Sequence, residues 1–156
     1  NEIKVFNASK VPKVKIEDYL KRIMDFSRCE ENTVISALIL IDTICENHCF
    51  LLSKLNYHRV LLVSIIISIK FHEDTCFSNQ LYSKIGGISL TQLNVLEIEF
   101  LKLIGFNAYV KEKEFNGYYL YIQKQITELS IGRIEKMSIS QRNREEDFEK
   151  IEVKND

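Results

Sequence analysis

The sequence predicts an all-α fold, a bundle of helices packed around a buried third one, and three observations carry that prediction. Apolar residues recur at helical spacing along almost the whole chain, with no convincing alternation of the kind a half-buried strand shows. From Val60 to Ile69 only Ser64 and Ser68 interrupt the apolar residues, so a helix there is hydrophobic on every face and belongs at the centre of the bundle. Gly86-Gly87 followed by Ser89-Leu90-Thr91-Gln92 writes a helix stop and then a capping box, punctuation between two helices. The 156 residues make one domain with a real core, since folding at that size buries about 70% of the unfolded surface. One proline and five glycines exclude a collagen-like or low-complexity chain. Twenty-one Lys/Arg against 22 Asp/Glu leave a net charge of −1, which is not the basic footprint of a nucleic-acid binder. No apolar span approaches the ~20 residues of a membrane helix, and no N-terminal secretory pattern is seen. The expected protein is soluble and globular.

In chain order, residues 1–14 form a Lys-rich lead-in that holds the only proline, Pro12. A first helix spans about Ile16 to Arg28, with Ile16, Tyr19, Leu20 and Ile23 on one face and Glu17 and Asp18 in the first turn, where the helix dipole favours them. Asn32 is placed to cap a second helix over about 33–47, with Val34, Ile35, Leu38 and Ile41 inward. The third, all-apolar helix runs from about Tyr57 to His72. Its β-branched content suits a buried strand too, but the run is too long for one and its neighbours are helical. The two serines, one turn apart, let neighbouring helices approach closely. A short fourth helix near 79–85 ends at the glycine pair, and a fifth runs from Ser89 to about Ile104 before Gly105. After an extended stretch from Phe106 to Val110, a sixth helix covers Glu112 to Ile126, with Phe115, Tyr118, Tyr119 and Ile122 apolar on one face and Gly117 costing about 1 kcal/mol relative to Ala. The charged, weakly periodic tail 127–156 reads either as a loosely docked helix or as disordered.

Four cysteines, Cys29, Cys45, Cys49 and Cys76, allow two disulfides, but a chain this large needs no staples and three of the four sit among core-type residues. Reduced thiols are expected, and with them an intracellular location, cytoplasm and/or nucleus. Cys45, His48 and Cys49 form a C-x-x-H-C cluster, but structural zinc wants two spaced ligand pairs and no second pair follows. No metal or other cofactor is expected.

The informative residues are charges set in apolar helix faces. Glu97 has Leu93 four residues before it and Phe100 and Leu101 three and four after, which puts its carboxylate in the inward stripe. Lys70 follows Ile66 and Ile67 at the end of the apolar run. A lone buried charge is expensive, so the economical arrangement pairs Lys70 with Glu97 across adjacent helices. Such a pair is either an ion pair within the domain or the edge of a groove that grips main-chain groups of a partner protein. Asp42, inside Ala-Leu-Ile-Leu-Ile-Asp, is expected to be a buried carboxylate fixed by a cation such as Arg22. Replacing it with alanine should then destabilise the fold by about 3–5 kcal/mol. Catalytic constellations are poor: His48, His58 and His72 are scattered, and there is no phosphate loop, no nucleophile elbow and no metal-ligand set. The chain is expected not to be an enzyme.

Three segments carry a resemblance. They are Asn56-Tyr57-His58-Arg59-Val60-Leu61-Leu62, then Ile69-Lys70-Phe71-His72-Glu73-Asp74, then Gly86 through Leu101. In order and spacing they resemble a cyclin box, in particular that of the P/U-type, phosphate-signalling cyclins. The opening from Phe6 to Ile23, with Tyr19-Leu20-Lys21-Arg22-Ile23, is similar to that subfamily's first helix, and the likeness extends over about residues 5–122. The resemblance implies a single five-helix cyclin box over 15–110 around a buried third helix. The lead-in precedes it, and an additional helix over 111–126 and the tail follow.

It also implies a function: a non-catalytic regulatory subunit that binds and activates a cyclin-dependent protein kinase. In the family, the residues matching Lys70 and Glu97 contact the kinase's N-terminal lobe near its mobile helix, and those matching Phe71, Leu101 and Phe106 pack against that helix. The aspartate matching Asp42 belongs to the family's structural core. Its usual arginine partner is not at its usual spacing, which leaves Arg22 as the candidate. The hydrophobic patch that many cell-cycle cyclins use to dock substrates has no clear match near residues 9–16, so that role is not carried over. The alternative is a cyclin-fold adaptor of the transcription machinery that binds protein or DNA without a kinase, and the balanced charge weakens its DNA version.

Overall fold

A computed structural model describes the backbone of residues 3–152 and the side chains of residues 3–140. Residues 1–2 of the lead-in and 153–156 of the tail lie outside the described residues. The elements in order are a 3-10 helix, Lys4–Phe6, and six α-helices: α1 Ile16–Ser27, α2 Glu31–His48, α3 Tyr57–His72, α4 Asn79–Gly86, α5 Leu90–Leu103 and α6 Glu112–Glu152. No strand occurs among the described residues. Residues up to Phe115 make one compact unit and those from Asn116 onward a second.

In the first unit α3 is the axle. Every residue from Val60 to Ile69 is buried, including Ser64 and Ser68, and the helix packs against α1, α2, α4 and α5. The Ser64 hydroxyl donates back to the Leu61 carbonyl at 3.0 Å, the local bond that lets a polar side chain sit in a core. Opposite α3, Gly86 at the end of α4 is a place where only glycine fits: a Cβ there would fall 2.2 Å from Leu62 Cδ2. The next residue, Gly87, turns left-handed at φ +67°, and its N–H and that of Ile88 close a Schellman motif on Lys84 and Ser83. The capping box follows as written: Ser89 Oγ accepts from the Gln92 N–H at 3.1 Å, and Gln92 Oε1 accepts from the Ser89 N–H at 3.2 Å. A second Schellman motif ends α5 at Gly105, with Phe106 N–H on the Leu101 carbonyl at 2.7 Å and Gly105 N–H on that of Lys102.

Four expectations change. The lead-in contains the 3-10 turn and drives Phe6 into the core, edge-on to the Phe50 and Phe100 rings at 5.8 and 6.3 Å. Asn32 does not cap α2; it lies in the first turn, where its carbonyl accepts from Ser36 Oγ. The acceptor at that end arrives from far along the chain: Glu73, just past α3, takes hydrogen bonds from the Glu30 N–H at 3.1 Å and Thr33 Oγ1 at 2.7 Å. Of the cysteines only Cys29 is buried; Cys45 is half-buried, Cys49 and Cys76 are exposed, and all four are free thiols. Finally, α6 does not stop at Ile126 but continues as one helix to Glu152. Along its described part Leu120, Ile126, Leu129 and Ile134 are exposed.

Candidate functional site

The last turn of α3, the first turn of α4 and the middle of α5 converge, and each brings a polar side chain. Lys70 Nζ lies 2.5 Å from Glu97 Oε1 and donates to Asn79 Oδ1 at 2.7 Å. Asn79 Nδ2 donates to Glu97 Oε2 at 2.6 Å and to Asn94 Oδ1 at 2.9 Å. Asn79 thus bridges the two charges and holds the pair from the side. The Lys70 side chain is 33% exposed and that of Glu97 13%, so the carboxylate is largely sheltered while the ammonium reaches solvent. An ammonium carries three N–H donors. Two are used inside the cluster, which leaves one for an acceptor from outside. Charge-assisted bonds of this kind are the strong ones, and a carbonyl of another chain is a fitting acceptor.

Next to Lys70, Phe71 is 51% exposed, an abrupt change from Ile69 at 1%. It lines an open groove of about 860 Å³ together with the start of α2, the segment after α3, and Tyr109, Val110 and Phe115. Glu73 and Thr33, the pair that satisfies the start of α2, form part of its wall. The two residues that the resemblance groups with Phe71 stand elsewhere. Leu101 is half-buried and Phe106 is 69% exposed with a left-handed φ of +56°, and neither lines this groove. A left-handed phenylalanine is uncommon; here it is the residue after Gly105 in the Schellman turn, which throws its ring outward. Tyr109 is 62% exposed on the same stretch, an aromatic that no helical periodicity marks.

The expected buried charge is corrected. Asp42 is exposed on α2, and Arg22 places its guanidinium over the Tyr19 ring, 5.2 Å from the centroid. The reason lies in the row that Asp42 occupies. Leu38, one turn before it, is only half-buried, and Glu46, one turn after, is exposed, so the row runs along the rim of the apolar face. His48 from the weak metal cluster points its Nε2 at the Leu103 carbonyl, 2.7 Å away, tying the ends of α2 and α5 together. Among the described residues no group of three His, Cys, Asp or Glu is placed to hold a metal ion. Burial pushes the Cys29 thiol above its ordinary value and Cys45 likewise, which keeps both protonated and unreactive. His72, on the groove wall, is pulled below its ordinary value by burial, against the opposing pull of Glu73. No helix among the described residues is long and apolar enough to cross a membrane.

The residues missed by sequence reasoning are Asn79 and Asn94. Asn79 follows the capping Ser78 as the first residue of a short helix, a position whose polar character is ordinary, so only the convergence of three helices gives it a role.

The sequence is similar to known proteins. A family model described as Cyclin matches residues 1–108. Among similar proteins, Cyclin-U4-1 of Arabidopsis thaliana is 34% identical over 126 residues, covering 80% of this chain and 62% of that one. Cyclin-U2-1 of the same plant is 35% identical over 125 residues, covering 80% and 56%. Cyclin-P3-1 of Oryza sativa subsp. japonica is 31% identical over 129 residues, covering 83% and 55%. The chain thus spans little more than half the length of these relatives.

Proposed function

This chain belongs to the cyclin family, and from that premise we propose that it is the non-catalytic regulatory subunit of a cyclin-dependent protein kinase. The contact surface on this reading is the edge formed by Lys70, Glu97 and Asn79, with Phe71, Leu101 and Phe106 packing against a mobile helix of the kinase's N-terminal lobe. The observation that carries it is the state of Lys70: partly exposed, held by Glu97 and Asn79, and keeping one donor for an outside acceptor, next to a phenylalanine half in solvent. An ion pair that served only the fold would gain nothing from an exposed aromatic beside it. Aromatic anchors flanking a sheltered charge are what tight protein contacts are built from.

Activation follows from differential affinity. A kinase samples conformations in which its own catalytic Lys–Glu ion pair is formed or broken. A subunit that binds only the formed state shifts the population toward it by as much as the affinities differ. Chemistry then stays with the partner, and the cyclin supplies a rigid surface.

The test uses the full chain, candidate cyclin-dependent kinases from the source cell, and a phosphorylation assay. Capture of a kinase with stimulation of its activity is the expected result. The double variant Lys70→Ala plus Glu97→Ala should weaken capture by at least about tenfold, since truncating a desolvated charge contact removes 2 kcal/mol or more. Unchanged capture, with the variant's circular dichroism intact, would remove this surface from consideration.

A further inference from the structure

At the other end of α3 lies a second cleft that the kinase reading does not use. It is a space of about 340 Å³ between the lead-in, α1, the first turn of α3 and the glycine pair after α4. Three cations line it, Lys13, Arg22 and Arg59, and no aspartate or glutamate is among its lining residues. His58 joins them and is only 4% exposed. His58 and Lys70 are twelve helical steps apart, about 18 Å along α3, so the two sites are independent.

The polar groups here are held in place, and the guanidinium of Arg22 is left short of an acceptor. Arg22 lies over the Tyr19 ring, and its Nε is buried without a hydrogen-bond partner. A ring face steadies a guanidinium but offers no lone pair to an N–H. His58 spends Nε2 on the Val14 carbonyl at 2.9 Å and leaves Nδ1 buried and unpartnered. Arg59 is steered by the Asn7 carbonyl at 3.0 Å. Tyr19 also lines the cleft, and its hydroxyl donates to the Gly86 carbonyl at 2.9 Å. Burial pushes Tyr19 up to about 12, so it stays neutral and does not offset the cations. Buried polar atoms in native proteins normally find partners, and a guanidinium N–H without an acceptor in a cationic cleft asks for an anion.

We propose that this cleft is an anion-recognition site that docks a phosphorylated serine or threonine of a peptide segment in a partner protein. A tetrahedral dianion suits the set better than a carboxylate, because three cations with no carboxylate in the lining call for more than one negative charge. Guanidinium forks also match phosphate oxygens two at a time. A peptide suits it better than a free ion, because Pro12, Val14 and Ile88 give the rim apolar ground for neighbouring residues.

The experiment is fluorescence polarisation with the full chain and a labelled heptapeptide carrying one phosphoserine between leucines. The same peptide with serine, and with glutamate, serve as comparisons. The phosphopeptide should bind at least about tenfold more tightly than both, and its binding should weaken steeply with salt. Equal binding of the phospho and glutamate peptides overturns the phosphoryl assignment, and failure of the phosphopeptide to outbind serine overturns the site. Inorganic phosphate displacing the peptide at the peptide's own concentration overturns the peptide as occupant. Arg22→Gln should reduce affinity about tenfold and the exposed Lys13→Ala about threefold, while Lys102→Ala on α5 changes nothing. Lys13→Ala keeps the test open even if Arg22→Gln fails to fold. None of these measurements contains a kinase, so their failure leaves the kinase-binding surface untouched.

Discussion

Two stretches of one helix behave as different materials. From Val60 to Ile69, α3 is surrounded on all sides, with every side chain buried. One residue later Lys70 reaches solvent through a cluster of hydrogen bonds, and then Phe71 stands half exposed. Backbone geometry is the same in both stretches, and both belong to the helix Tyr57–His72. The difference lies in neighbours: the middle is enclosed by four helices, whereas Lys70 at the end is held by side chains from the start of α4 and one face of α5, and Phe71 borders an open groove. Enclosure makes the middle a determinant of stability, and its loss makes the end available for contact. The two stretches should therefore answer substitution through different measurements.

The sharpest contrast comes from the enclosed part. Leu62 is 0% exposed and lies against Gly86, so Leu62→Ala removes methyl groups from a place where a tightly apposed backbone cannot collapse to fill the space. A loss of about 2–5 kcal/mol is expected in urea unfolding, the range of buried leucine truncations. If the loss were under 1 kcal/mol, the centre would be looser than its burial implies. At the helix end, by contrast, Lys70→Ala plus Glu97→Ala should register mainly in kinase capture. A partly exposed pair contributes about 1 kcal/mol or less to folding.

The parts of this contrast that were legible in the sequence are those written in adjacent residues. The apolar run and its charged ends mark α3 to the residue, and Ser89 with Gln92 marks the start of α5. Lys70 and Glu97 were legible as partners because each interrupts an apolar stripe and a charge there needs an opposite one. What stayed hidden depends on contacts between distant segments. Glu73 serves the start of α2 from forty residues away in the chain, so Asn32 looked like the cap. Phe6 looked like part of a lead-in because its partners, Phe50 and Phe100, are far off in sequence. Asn79 is uncharged and at a helix start, so nothing local separates it from any other first-turn residue.

A middle-sized effect tests the first turn of α3, where enclosure gives way to the cationic cleft. Tyr19 is pushed up to about 12 by burial, against the pull of Arg22 and Arg59, and the unfolded chain keeps the ordinary value of 10. Between those values the unfolded state has released a proton that the folded state retains, so stability falls as pH rises. The contribution is complete below pH 10 and lost progressively toward pH 12, on the order of 2 kcal/mol in all. Urea midpoints measured from pH 8 to pH 11.5 should show this slope, and Tyr19→Phe should flatten it. The slope that remains is shared by Tyr82, Cys29 and Cys45, which burial also raises.

The smallest effect belongs to Asp42, and it separates a residue's sequence surroundings from its true neighbours. Ala37 to Ile41 make Asp42 look interior, yet the row Leu38, Asp42, Glu46 lies along the rim of α2 and Asp42 is exposed. An exposed carboxylate keeps its water in the folded state, so any contact it makes is a surface one, weakened by solvent. Asp42→Ala should therefore change unfolding stability by no more than ~0.5 kcal/mol, as surface substitutions do. Removing one member of a buried ion pair would instead take away about 3–5 kcal/mol. The two readings differ by at least fivefold in one unfolding experiment, and a loss in the larger range would return Asp42 to the interior of the bundle.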